Sequence, residues 1–133
     1  RSAQGTLELR SACQQPFSEH MVATALGLAM VEAHRELDSL LTDTLGTQPW
    51  TRSRQWHAES IVSGLNAEEP EPGFITEVLR VCQRALERRG HDEAHYLGPL
   101  FERLSRRENP AQASRARWAE SGIEAVLETA RAH

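Results

Sequence analysis

The sequence predicts a mainly helical domain joined to one N-terminal β-strand that belongs to a larger sheet. Three observations predict it. Residues 6–10, Thr-Leu-Glu-Leu-Arg, alternate polar and apolar side chains as a half-buried strand does. From Met21 to Leu41 the apolar residues recur about every 3.6 positions, the repeat of an α-helix. Glycines at 46, 64 and 90 stand where successive helical patterns stop. The full protein is therefore expected to be α+β. Residues 1–17 would supply a strand and loop, and residues 18–133 the helical domain.

The strand comes first. Leu7 and Leu9 face one side, and Thr6, Glu8 and Arg10 the other. No later segment offers an equally clear partner. A lone strand leaves backbone donors and acceptors unpaired, so its sheet is expected from an N-terminal remainder of the same protein or from a partner chain. A first residue of Arg rather than Met fits a trimmed chain.

Helices follow. Ser18 is a candidate N-cap for a long helix over 19–45 that stops at Gly46. Thr51 is a candidate cap for a helix over 52–63 closed by Gly64. Residues 66–73, with two prolines and a glycine, read as a linker to a third helix over 74–89. Asp92 is placed to cap a fourth helix running to about residue 106, which Gly98-Pro99 would bend or delay. Asn109-Pro110-Ala111-Gln112 carries an N-cap, a first-turn proline and a capping-box partner, and Ser121-Gly122-Ile123-Glu124 repeats that logic before a last helix to about residue 132.

Composition narrows the function classes. With 39% hydrophobic and 26% charged residues the chain is globular rather than disordered. A net charge of −4 argues against a general nucleic-acid binder. The most apolar run, 21–31, falls short of the ~20 residues a bilayer span needs, and no membrane association is expected. Two distant cysteines, Cys13 and Cys82, form no metal or disulfide pattern, which favours a reducing cytoplasm.

The chemistry centres on Glu8 and Arg10, which share one strand face. A carboxylate is a hard oxygen ligand suited to Mg²⁺, and a guanidinium can grip a phosphate through two parallel hydrogen bonds. The same pair is also compatible with an ordinary ion pair on a solvated face.

The wider segment 5–17, Gly-Thr-Leu-Glu-Leu-Arg-Ser-Ala-Cys-Gln-Gln-Pro-Phe, resembles a signature of the glutamate–cysteine ligase superfamily (GCS2-like) of ATP-dependent carboxylate–amine ligases. Glu8, Arg10, Ser11, Pro16 and Phe17 carry the resemblance. The helical tail is similar to that family's C-terminal region, including Glu-Asn-Pro-Ala-Gln at 108–112 and Gly-Ile-Glu-Ala-Val at 122–126. The resemblance implies a curved antiparallel sheet whose concave face holds Mg-ATP and an amino-acid substrate. Glu8 would be a magnesium ligand and Arg10 a catalytic, ATP-binding contact to the transferred phosphate. It further implies an acyl phosphate on a substrate carboxylate, then attack by an amine. Cys13 departs from the acidic residue the family often has there. The family's other carboxylate ligands precede this segment, so the isolated chain is expected to be inactive.

Other groupings weigh less. His91 and His95 stand four apart, as two zinc ligands on one helical turn would, but no third ligand is evident. Arg103, Arg106, Arg107, Arg115 and Arg117 are interspersed with glutamates and read as a salt-bridged surface. Trp50, Trp56 and Trp118 fit helix packing better than a binding platform. Cys13 reads as a structural thiol. The alternative function is a non-catalytic helical interaction module whose strand docks on a partner by β-addition.

Overall fold

A computed structural model describes residues 15–131. These residues form six helices: α1 (Val22–Glu32), α2 (His34–Leu45), α3 (Pro49–Ser63), α4 (Phe74–Arg89), α5 (Gly98–Arg106) and α6 (Pro110–Ala130). A short 3₁₀ turn at Phe17–Glu19 precedes α1, and two more, at Gly64–Asn66 and Glu93–Leu97, follow α3 and α4. Among the described residues no strand occurs, and no helix is long and apolar enough to cross a membrane. The strand expected at 6–10 lies outside the described residues, as does Cys13.

The core forms where small residues let two helices approach. Ala25, Ala29, Ala33 and Leu37 recur every fourth position along α1 and α2, and all four are buried. Val81, Cys82, Ala85 and Leu86 of α4 pack with them in one cluster. Leu97, fully buried, closes one end, and Leu100 and Phe101 of α5 pack against the same cluster. Burying a Leu or Val side chain is worth about 1.5–3 kcal/mol, so this seam dominates the stability of the domain. Polar clamps flank it: Arg89 donates to Glu32 at 2.6 Å and to Glu93 at 2.9 Å, and Arg88 donates to Glu36 at 2.7 Å.

The single helix expected over 19–45 is two helices. At Ala33 the backbone relaxes to φ −91°, ψ 11°. His34 explains the bend, because its Nδ1 bonds the Val31 carbonyl at 3.0 Å and so competes with the helical ladder for that acceptor. The bonds from Ala33 N to Ala29 O and from Leu37 N to Ala33 O persist, and the alanine stripe passes through the joint uninterrupted. Ser18 caps nothing; it sits in the 3₁₀ turn, and α1 starts after Met21. Thr51 likewise lies inside α3, which starts at Pro49, a residue whose fixed φ suits a first turn.

Helix α4 has the expected bounds, with Gly73 and Gly90 left-handed on either side. Asp92 is also left-handed (φ 60°) and makes no side-chain cap. The helix expected after it begins only at Gly98-Pro99, the delaying pair, and a 3₁₀ turn fills the interval. The capping box at Asn109 is complete: Gln112 N donates to Asn109 Oδ1 and Asn109 N to Gln112 Oε1, both at 2.9 Å. Gly122 (φ 76°, ψ −177°) breaks α6, so a last helical segment follows it as the sequence suggests. The box packs tightly on the end of α3, where a Cβ on Gly64 would stand 3.0 Å from Asn109 Nδ2.

The seam makes a direct prediction. Leu at fully buried position 29 (Ala29→Leu) adds three carbons where α1 meets α4 and should cost about 1–3 kcal/mol. The same change at exposed Ala111 should stay within about 0.5 kcal/mol. Thermal unfolding followed by circular dichroism checks this, and equal losses at the two sites would show that the alanine stripe is not the tight contact.

Candidate functional site

Glu8 and Arg10 lie outside the described residues, so their geometry is not part of the structure. The described chain begins with the connection that leads from them into the helical body. Its backbone is tightly wound: Glu19 N donates to Pro16 O at 2.8 Å, and His20 N to Phe17 O at 3.4 Å. The His20 ring adds a 2.7 Å bond from Nδ1 to the Phe17 carbonyl and stacks on the Phe17 ring, with centroids 5.6 Å apart and planes inclined by 28°. Proline explains part of this order. Pro16, with φ −51° and ψ 146°, is extended and sets the direction in which the turn starts.

A long-range ion pair fastens this turn. Arg103 of α5 donates through Nη2 to Glu19 Oε2. The Arg103 side chain is 16% exposed, the most enclosed of the ion-paired arginines among the described residues. A guanidinium so enclosed needs its partner, because solvent compensates it poorly. Sequence reading assigned Arg103 to a general surface cluster and missed this pair. The rest of that cluster is dispersed. Arg106 pairs with Glu102 at 3.6 Å within its own helix, Arg107 donates to the Leu65 carbonyl at 3.3 Å, and Arg115 and Arg117 are exposed on α6.

The histidines at 91 and 95 do not share a helical turn. His91 precedes left-handed Asp92, and His95 lies in the 3₁₀ turn, where Nδ1 bonds the Asp92 carbonyl. Among the described residues no group of three or more His, Cys, Asp or Glu is arranged to hold a metal ion. Of the tryptophans, Trp56 packs edge-on against Phe74, with centroids 5.6 Å apart and planes at 77°. Trp50 and Trp118 are exposed, contrary to the packing role expected for all three.

One concavity of about 300 Å³ lies between the 64–73 connection, the start of α4 and the end of α5. Its charged groups are already engaged. Glu69 Oε2 accepts the Ile75 N–H at 3.2 Å, near the start of α4, and Arg107 holds the Leu65 carbonyl. Arg52 plays a similar structural part, donating to the carbonyls of Thr44 and Pro70 and so tying α2 to that connection. None of these groups pairs a nucleophile with a base.

Burial pushes the Cys82 thiol above its ordinary range, so the reactive thiolate is scarce at neutral pH. In a Cys13→Ser background, Cys82 should resist alkylation at pH 7.5 until the domain unfolds. Mass spectrometry across a urea series checks this, and rapid labelling of the native protein would contradict it. Comparison with known proteins returns no matching family model, no similar curated protein and no similar solved structure.

Proposed function

We propose that the chain is the C-terminal portion of a glutamate–cysteine ligase-like enzyme, which joins an amino-acid carboxylate to an amine at the expense of ATP. One observation carries the reading: Glu8 and Arg10 stand two apart in an alternating polar–apolar stretch, and Ser11 and Gln15-Pro16-Phe17 follow it, ahead of an apolar helix. The mainly helical body after this segment agrees in kind with the C-terminal region that the resemblance implies.

The chemistry asked of the residues is limited and specific. Glu8 would hold Mg²⁺ through a carboxylate oxygen, and Arg10 would bind the phosphoryl group in transfer. Magnesium bound there neutralises phosphate charge. The substrate carboxylate attacks the terminal phosphorus of ATP, giving an acyl phosphate and ADP. The amine then attacks the acyl carbon, phosphate leaves, and an amide bond remains. Arg10 contributes most as charge develops on the transferring group, which is where a fixed donor lowers the barrier. The helical body scaffolds the strand and shapes one wall of the site, the sheet being completed by an N-terminal remainder or a partner chain. A reducing cytoplasm suits this reading.

A second reading draws on the distribution of apolar surface. None of the residues 110–129 of α6 is buried, and Trp118, Ile123 and Leu127 stand about half or more exposed. Such residues suit a helical protein–protein interaction module in which Glu8 and Arg10 are ordinary exposed strand residues. The two readings part on where the Glu8–Arg10 face lies: in a concave pocket shared with other carboxylates, or on a convex solvated surface.

In the full-length protein, Glu8→Gln and Arg10→Ala should each lower ATP turnover by about 10²–10³, the usual cost of removing a charge partner of a transferring group. Folding should hold, since both positions lie on the polar face of the strand pattern. Unchanged ATP consumption in either variant would sink the assignment. The 133-residue chain alone should not bind Mg-ATP tightly, because one glutamate cannot supply the several oxygens magnesium requires. Calorimetric titration of this chain beside the full-length protein tests it. Micromolar binding to the isolated chain would mean that it carries a complete nucleotide site, whereas binding to neither would favour the interaction module.

A further inference from the structure

Helix α6 leaves the domain surface in its middle. Residues 114–121 are all exposed. They span more than two helical turns, so every side of the helix there faces solvent. A helix laid on a domain hides one stripe of side chains along its length, and here no residue from 110 to 129 is buried. Gly122 divides α6 into two limbs. Trp118, on the first, is 61% exposed, and Ile123 and Leu127, on the second, are 52% and 49% exposed. An isolated helix of fewer than about 12–15 residues is marginal in water, so limbs of this length need a surface to pack on.

The sign of charge changes along α6. Arg115 and Arg117 are the only charged residues from 110 to 119, and Glu120, Glu124 and Glu128 the only ones from 120 to 130. On α4, Arg80, Arg84, Arg88 and Arg89 all have carboxylate partners within the domain. Among the described residues Arg115, Arg117, Glu120 and Glu124 have no ion-pair partner. Arg115 stands three residues from Trp118, and Glu124 three from Leu127, so unpaired charges flank the apolar side chains on each limb.

We propose that α6 pairs antiparallel with α6 of a second copy of this chain, the first limb of each lying along the second limb of the other. Trp118 of each copy then meets Ile123 and Leu127 of the other, and Arg115 and Arg117 face Glu124 and Glu128. A two-fold axis makes both contacts at once, because one surface serves both copies. A parallel pair would set arginine on arginine and glutamate on glutamate. A partner of uniform charge would be repelled by one limb or the other, whereas a second copy presents the complementary sign to both. The pairing gives an occupant to the apolar surface on which the interaction-module reading draws, and it is equally compatible with a ligase that works as a dimer.

The experiment is sedimentation velocity on the full-length protein over a concentration series. The wild type should form a dimer with a micromolar Kd, as a small interface gives. Arg115→Glu with Arg117→Glu makes both limbs acidic, and Glu124→Arg with Glu128→Arg makes both basic. Each double variant alone should associate at least about 10-fold more weakly, because like charges then oppose one another. An equimolar mixture of the two should recover the dimer. Trp118→Ala, which leaves the charges alone, should also weaken association by about 10-fold or more. All five positions are exposed, so circular dichroism should report an unchanged fold. A wild type that stays monomeric at about 100 µM would overturn the pairing and leave the interaction-module reading in need of a different partner. A dimer that none of the variants weakens would overturn it too, as would a mixture of the two folded double variants that remains monomeric. None of these results bears on ATP consumption, so the ligase reading stands or falls separately, on Glu8 and Arg10.

Discussion

The close approach of α1 to α4 along a stripe of alanines is the contact on which the rest of the domain depends. Four-residue spacing puts Ala25, Ala29, Ala33 and Leu37 on one side of the α1–α2 rod, and none of the first three presents more than a methyl group. Helices with such short side chains meet near their backbones, where each atom has many neighbours and dispersion attraction accumulates. The larger residues of α4 and the fully buried Leu97 then fill the space beside the stripe. The ion pairs of Arg88 and Arg89 lie along the margins of this contact. They fix the register of helices that apolar packing already holds together.

Burial is uneven around that contact. Helices α1, α2 and α4 each carry several buried residues, whereas α3 carries none, and nor does α6 from Pro110 to Thr129. Beside the Trp56–Phe74 ring contact, the outer helices are held by polar ties. Arg52 reaches from α3 to the Thr44 and Pro70 carbonyls, and Arg107 reaches to the Leu65 carbonyl beside the start of α6. Directional ties of this kind set orientation while contributing little net stability each, about 0.5–1.5 kcal/mol for a typical hydrogen bond. The domain thus divides into a packed centre and a guided periphery, and the turn that enters from Arg10 belongs to the periphery.

Features of the fold governed by neighbours in sequence were legible there. The α4 bounds follow from its flanking glycines, and the capping box at Asn109 from residues three apart. The Gly122 break was legible for the same reason. Features that depended on competition for one acceptor were not. The bend at Ala33 arises because a histidine side chain takes a carbonyl, and histidine is not a residue usually read as a break. Asp92 carried the chemistry of a cap but adopted a left-handed backbone that points the chain elsewhere. Of the candidate site, Glu8 and Arg10 are proposed from local spacing alone, and they fall outside the described residues. Arg103 could not be matched to Glu19, because no periodic signal links positions on α5 to a turn at the other end of the chain.

Gly64 ties the end of one helix to the start of another. Its backbone, at φ 58° and ψ −132°, belongs to a region that side-chain-bearing residues rarely adopt, and it ends α3 with a bare Cα facing Asn109 and Gln112. The first turn of α6 is the costly step in forming that helix, and here it is made against a surface that exists only once α3 has terminated. The start of the last helix therefore rests on a surface made some forty-five residues earlier in the chain, and residues 110–129 add no buried side chain of their own to that contact.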